Sequence, residues 1–299
     1  MIKYCDAKRI LHKCKTLDWF GADYVVNLYR GCSHGCIYCD SRSNCYQDLE
    51  FDLIKPKRNA ISILNSELAS KRRTGIIDTG AMSDPYNPLE KQLCLTRQFL
   101  ELAERYGYGV SITTKSQLIE RDIEILKSIS KFHPVICELT ITTAFDKLSK
   151  VIEPYAPLSS SRFATLEKLS NAGIFSGIVL MPVLPFIEDS DKNITQIIVQ
   201  AASVGVSFIY PYFGVTLREN QRKYYFEKLT EAFPTYQLVS KYVSVYHNSY
   251  ECISPRILNL KSIFEELCDK FNILYRMDDI IHQYQLRYSY EQLSFFDQK

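Results

Sequence analysis

Short runs of β-branched and aromatic residues recur along the chain, and the stretches between them place apolar residues at helical spacing. Runs at 24–28, 75–79, 109–113, 135–142, 176–181 and 206–210 read as strands. Between them, Ile119, Ile123, Leu126 and Ile129 fall at i, i+4, i+7 and i+10, and Ile194, Ile197, Ala201 and Val204 at i, i+3, i+7 and i+10. Each set makes one apolar helix face, which reads as core. Ahead of the fifth strand, Asn171, Ala172 and Gly173 read as a helix stop in which Gly173 supplies a left-handed turn. Strands alternating with helices at this pace predict an α/β fold, a parallel sheet with crossover helices. In such folds the chemistry sits at the carboxyl ends of the strands.

Composition narrows the picture only a little. The 299 residues are 46% hydrophobic and 23% charged, ordinary for a globular chain of one large domain or two small ones. Apolar runs such as 177–184 are strand-sized, far short of the roughly 20 residues a bilayer helix needs, so no membrane span and a cytoplasmic location are expected. With a net charge of +2, a generally basic, nucleic-acid-coating surface is not expected, and any such contact must be local. Lys55, Lys57 and Arg58, and then Lys71, Arg72 and Arg73, form two local basic knots.

Cys32, Cys36 and Cys39, in a C-x3-C-x2-C run directly after the first strand, carry the clearest chemical signal. Iron-sulfur cubanes are normally held by four thiolates. A compact trio leaves one iron open to a reactant. Short cysteine spacings also make zinc sites, and His34 could complete a Cys3His tetrahedron. That alternative is a noncatalytic, zinc-stabilised nucleic-acid-binding module. Ten cysteines scattered over the chain do not form the framework of a small secreted domain, so the trio is expected to be reduced. Cys5, Cys14, Cys252 and Cys268 are too irregularly spaced to predict a second cluster.

The run Tyr29-Arg-Gly-Cys-Ser-His-Gly-Cys-Ile-Tyr-Cys39, with aromatic Tyr38 before the last cysteine, resembles the signature of the radical S-adenosylmethionine (SAM) enzymes. The Ser83-Asp-Pro-Tyr turn and the Thr114-Lys-Ser after the third strand resemble its spore photoproduct lyase-like branch, over most of the chain. The resemblance implies a partial TIM-like (β/α)6 barrel with a C-terminal helical extension, divided as 1–213 and 214–299. It implies a [4Fe-4S] cluster on Cys32, Cys36 and Cys39 that cleaves SAM reductively to a 5'-deoxyadenosyl radical for hydrogen abstraction. His34 is then a loop residue and not a ligand. An electron donor such as flavodoxin or ferredoxin is implied as well. By the same likeness the substrate is DNA or another nucleic acid, in repair or modification, with RNA or peptide modification as the runner-up.

Polar groups just past strand ends are the candidates to face cluster and SAM: Ser83 and Asp84 after the second strand, Lys115 after the third, Thr140, Thr142 and Thr143 after the fourth, and Met181 at the end of the fifth. By likeness to the lyase, Lys115 and Thr143 help to hold SAM, and Tyr38 lies against the adenine. The lyase's hydrogen-donor cysteine stands two residues before its Ser-Asp pair; here that position is Ala81. Cys94 and Cys137 are the alternative donors in the sheet region.

Residues 214–299 are rich in aromatic and basic side chains, among them Arg218, Arg222, Lys223, Tyr224 and Tyr225. Such mixtures bind single-stranded nucleic acid, or form amphipathic helices with rings inward, which is the expectation here. The end of the chain, 290–299, is expected to be a partner peptide: Gln292, Leu293, Phe295 and Phe296 resemble the short motif that docks on bacterial sliding clamps.

Overall fold

The computed structural model of the chain describes residues 2–46, 48, 50–80 and 82–288. In chain order the strands are β1 (Leu11–Lys13), β2 (Tyr24–Val26), β3 (Tyr29–Arg30), β4 (Lys55–Pro56), β5 (Ile76–Thr79), β6 (Gly109–Thr114), β7 (Val135–Thr140), β8 (Phe175–Leu180), β9 (Phe208–Pro211), β10 (Gly214–Thr216) and β11 (Glu251–Ile253). The helices are α1 (Ala60–Ala69), α2 (Glu90–Leu93), α3 (Leu95–Tyr106), α4 (Ile123–Ile129), α5 (Asp146–Ile152), α6 (Ser159–Asn171), α7 (Asp191–Ser203), α8 (Glu219–Ala232), α9 (Leu238–Tyr246), α10 (Ile257–Phe271) and α11 (Met277–Gln285).

One sheet runs β1-β2-β5-β6-β7-β8-β9. Apart from the antiparallel β1–β2 pair, all neighbours are parallel. Its two edge strands, β1 and β9, do not pair among the described residues, so the barrel is partial and open. The six parallel strands are the six expected from the apolar runs, with ends displaced by a few residues. The first stops at Val26 instead of residue 28, because the chain turns there into the β3–β4 hairpin that precedes the cysteines. β1 carries no signal in the sequence, since three residues are too few to show a period of two.

Successive strand residues point to opposite faces. Ile77, Ile112, Leu139, Ile178 and Ile209 pack outward against the apolar faces of the helices, Leu126, Ile194 and Ile197 among them. Ile76, Ile136, Val179 and Phe208 point into the barrel. There they meet Phe20, Ile280 and Tyr284, so α11 closes the inside of the barrel at the amino ends of the strands. The expected stop at the end of α6 is present: Gly173 takes φ 75°, with its N–H on Ser170 C=O and Ile174 N–H on Leu169 C=O. The helix expected from Ile119 to Ile129 is a 3-10 turn up to Asp122 and α-helix beyond.

The segment after residue 213 does not stand apart. Tyr225, Leu229 and Tyr242 of α8 and α9 share a buried cluster with Cys36, Ile37 and Tyr38. The Tyr225 and Tyr242 hydroxyls bond each other at 2.9 Å, so these rings are core, as the amphipathic reading expects. No described helix is long and apolar enough to cross a membrane.

Candidate active site

The cysteine loop is stitched to the barrel along its length. Cys32 N–H donates to Phe51 C=O (2.8 Å), Ile37 N–H to Ile152 C=O (3.0 Å), and Tyr155 N–H to His34 C=O (3.0 Å). From the far side, Gln221 of α8 donates its amide to Tyr38 C=O (2.9 Å) and Arg218 meets Asp40 at 3.1 Å. The loop is thereby held as a wall one residue thick. Cys32, His34, Cys36 and Cys39 line a cavity of about 110 Å³ together with Gly80, Met82, Ser83, Asp84, Thr113, Thr114, Lys115 and Thr140. Ser33, Gly35 and Ile37 line a separate outer cleft. The inner cavity lies at the carboxyl ends of β5, β6 and β7, where parallel α/β sheets place their chemistry.

Gly80 lets the walls come this close. Its φ is 113°, and a side-chain carbon there would stand 2.0 Å from Thr113 C=O. Any other residue would push β5 off the end of β6.

Burial pushes the Cys32 thiol up to about 11 and raises Cys36 and Cys39 as well. Iron coordination deprotonates a thiol outright. Among the described residues no group of three or more His, Cys, Asp or Glu side chains is arranged to hold a single metal ion. Three thiols around one cavity suit a cubane, in which each iron takes one thiolate. His34 is buried, with Nδ1 3.7 Å from Asp84; burial lowers its pKa first, and Asp84 opposes that.

Lys115 lines the same cavity, with Nζ 3.8 Å from Glu153 and 5.9 Å above the Tyr38 ring. Burial alone would lower its pKa, but Cys36 and Glu153 outweigh burial and leave it raised. Glu153 is fully enclosed, accepts the Tyr38 hydroxyl and stands 2.5 Å from Arg162 in a close ion contact whose angles are not those of a hydrogen bond. Arg162, also fully buried, further donates to Thr140 C=O (2.8 Å) and Pro157 C=O (2.9 Å). Despite burial, the facing Arg162 and then Lys115 hold Glu153 below its ordinary pKa.

The other expected site residues fall into different roles. Asp84 accepts from Tyr86 N–H (2.8 Å) and the Thr114 hydroxyl (2.7 Å) on one oxygen and from Lys115 N–H (2.8 Å) on the other. It ties the end of β5 to the end of β6 and aims Lys115. Ser83 donates to Tyr29 C=O (3.0 Å). Both line the cavity with their polar atoms already engaged. Thr143 donates to Asn193 (3.0 Å) and Met181 packs with the inward apolar cluster; neither lines the cavity, and Tyr38 stands behind it. Cys137 is outward on β7 in the helix-facing core, and Cys94 sits between α2 and α3 beside Arg121 (3.6 Å). Neither thiol is presented to the cavity. Ala81 and Gln292, Leu293, Phe295 and Phe296 lie outside the described residues.

Sequence reasoning missed a polar layer inside the barrel. The Ser111 hydroxyl stands 3.0 Å from both Asp78 and Glu138, and Thr113, which lines the cavity, lies 3.3 Å from Glu138. Burial pushes Asp78 up to about 7 and raises Glu138 well above the carboxylate range, with Asp78 adding to the latter. The missed signal was a charged residue in each of two apolar strands, on the inward parity.

An open parallel α/β barrel with three thiols and a lysine around one cavity at its strand ends defines a protein built to hold a cofactor there. The chain belongs to the radical SAM superfamily, whose sequence model matches residues 26–197. Members are enzymes that use a [4Fe-4S] cluster and SAM. The chain is 30% identical over 246 residues to an uncharacterized protein of Mycobacterium tuberculosis, covering 80% of this chain and 72% of that one. It is 30% identical over 224 residues to an uncharacterized protein of Methanocaldococcus jannaschii, covering 74% and 80% respectively. In fold it is similar to spore photoproduct lyase in a structure with bound AdoMet and dinucleoside spore photoproduct. The TM-score is 0.62 at 14% identity, covering 89% of this chain and 78% of the lyase.

Proposed function

We propose that Cys32, Cys36 and Cys39 hold the [4Fe-4S] cluster and that Lys115 pairs with the carboxylate of SAM in the same cavity. When bound, cluster and SAM supply a 5'-deoxyadenosyl radical that abstracts hydrogen from a substrate. The chain's own residues bind and orient. Asp84 aims Lys115 through its backbone N–H, Glu153 and Tyr38 support the lysine from behind, and the loop wall separates the cavity from the outer cleft. The observation that carries this reading is the meeting of all three thiols with Lys115 at the strand ends.

For the substrate we take nucleic acid, in DNA repair or nucleic-acid modification. The support is the likeness in fold to a lyase whose structure holds a dinucleoside photoproduct. As partners the reading takes a one-electron donor such as flavodoxin or ferredoxin and, through Gln292, Leu293, Phe295 and Phe296, a bacterial sliding clamp. Anaerobic reconstitution with iron, sulfide and a reductant tests the core of it. The wild type is expected to bind iron and convert SAM to 5'-deoxyadenosine and methionine, and the Cys32, Cys36 and Cys39 triple alanine variant to do neither. Undiminished iron and sulfide in the triple variant would defeat the assignment.

A further inference from the structure

A second cavity, of about 210 Å³, adjoins the first and shares Ser41, Phe51, Met82 and Ser83 with it. Two of the residues that line it alone are cations. Arg30 and Lys57 line it against one carboxylate, Asp48, which is itself engaged by Arg30 at 3.1 Å and by Lys55 at 2.7 Å. Arg30 is further fixed by Tyr46 C=O at 3.3 Å. Lys57 differs from its neighbours: among the described residues no hydrogen bond or ion pair engages its ammonium, although the residue is partly buried. Its basicity is lowered first by that burial and then, against the nearby Cys5, by Arg30. The two cations line one cavity and repel each other, and Asp48, already held by Arg30 and Lys55, leaves the Lys57 ammonium without a carboxylate of its own among the described residues. Bridging tetrahedral oxygens by a fixed guanidinium and a point-charge ammonium is a standard way of holding phosphate.

We propose that Lys57 and Arg30 form a phosphate subsite that anchors the substrate beside the cluster cavity. A phosphate ester or phosphodiester held there leaves the attached group directed past Met82 and Ser83 toward the thiols and Lys115. The inference deepens the nucleic-acid reading and rests on it for the identity of the substrate, but the anion site is tested separately.

The reconstituted enzyme is treated with a lysine-acylating reagent alone and with thymidine, thymidine 5'-monophosphate or a short thymidine oligonucleotide, and labelling is mapped by mass spectrometry. Loss of Lys57 labelling with the phosphorylated probes but not with thymidine is expected. Protection by the monophosphate points to a small phosphorylated substrate, and protection by the oligonucleotide alone to a polymer backbone. In titrations, Lys57→Gln is expected to weaken binding of the protecting probe about tenfold. For an oligonucleotide it should also reduce the salt slope by about 0.7, one phosphate contact on a single strand. Arg58→Gln serves as control, since Arg58 is exposed, bonded to Asp6 at 3.2 Å and outside the cavity. No protection by either phosphorylated probe, or equal losses in the two variants, overturns the subsite. A wild type that protects Lys57 yet makes no 5'-deoxyadenosine from SAM overturns the radical reading alone.

Discussion

Glu153 stands between two cations, 2.5 Å from the buried Arg162 and 3.8 Å from the cavity-lining Lys115, and among the described residues it is the one carboxylate that meets both. Removing its charge leaves the buried Arg162 and the cavity-lining Lys115 without their shared carboxylate, and breaking a buried pair from one side typically costs about 3–5 kcal/mol. Glu153→Gln is therefore expected to lower the thermal midpoint by on the order of 10 °C in a chain of this size. Adding Arg162→Met to the same chain should recover part of the loss, because the stranded guanidinium goes with it. Scanning calorimetry of the anaerobic single and double variants checks both; a midpoint within a degree or two of wild type in Glu153→Gln would mean the site admits enough water to screen the pair.

Lys115 can be tested apart from the cluster. Its backbone N–H is held by Asp84, so truncating the side chain leaves the end of β6 in place. A charge-assisted bond to the SAM carboxylate is worth roughly 1.5–3 kcal/mol. Lys115→Ala should weaken SAM binding by about ten- to a hundredfold, read by equilibrium dialysis under anaerobic conditions, while iron and sulfide content stay at the wild-type level. Unchanged affinity would reduce Lys115 to a partner of Glu153.

The division between what could and could not be read from the sequence follows the range of the interactions. The six parallel strands and the turn at Gly173 rest on local periodicity and backbone freedom, and the cysteine trio is packed into eight consecutive residues, so each is visible in a short window. Arg162 is the opposite case. In the sequence it is a cation in a serine-rich helix start that would suit the surface; only the folded chain shows it fully buried against a carboxylate from the end of α5 and a tyrosine from the cysteine loop. Thr143 and Met181 follow strand ends as expected, yet their side chains are taken up by Asn193 and by the inward apolar cluster. Position after a strand was readable, but direction was not. Asp78 and Glu138 lay between these cases, since their parity with Ile76 and Ile136 already marks them as inward.

The fate of a substrate radical depends on a hydrogen donor. The lyase resembled in the sequence places a cysteine where this chain has Ala81, and the two thiols expected as alternatives, Cys94 and Cys137, are not presented to the cavity. Given spore-type thymine dimers in DNA, the reconstituted enzyme is expected to consume SAM to 5'-deoxyadenosine with little clean repair, and Cys137→Ala to leave the product pattern unchanged. Chromatography of nucleosides and of 5'-deoxyadenosine from the same reactions gives the ratio. Repair at one dimer per 5'-deoxyadenosine, lost in Cys137→Ala, would show that β7 rearranges to present that thiol.

The carboxyl pair inside the barrel makes stability depend on pH in a direction opposite to that of salt-bridged acids. Asp78 is raised from 3.8 to about 7 by burial, with the Ser111 hydroxyl pulling the other way, and Glu138 is raised by burial and by Asp78 itself. Between these values the folded chain keeps protons that the unfolded chain has released. This contribution is therefore complete below about pH 4, the ordinary carboxylate range, and is lost as pH rises through about 7. The full shift of Asp78 corresponds to about 4 kcal/mol as an upper limit, since relaxation and water entry reduce it. Carboxylates held low by cations, such as Glu153 and Asp48, act with the opposite sign in acid, so the raw profile of the wild type mixes the two. Asp78→Asn separates them, because the amide fills the same space, keeps an oxygen for the Ser111 hydroxyl and never ionises. Relative to wild type, the variant is expected to gain stability steadily from pH 5 to pH 8 and to show its largest advantage at the alkaline end. Thermal midpoints of both proteins in matched anaerobic buffers across that range measure the difference, and a difference that does not change with pH would show that Asp78 is ionised in the folded protein throughout.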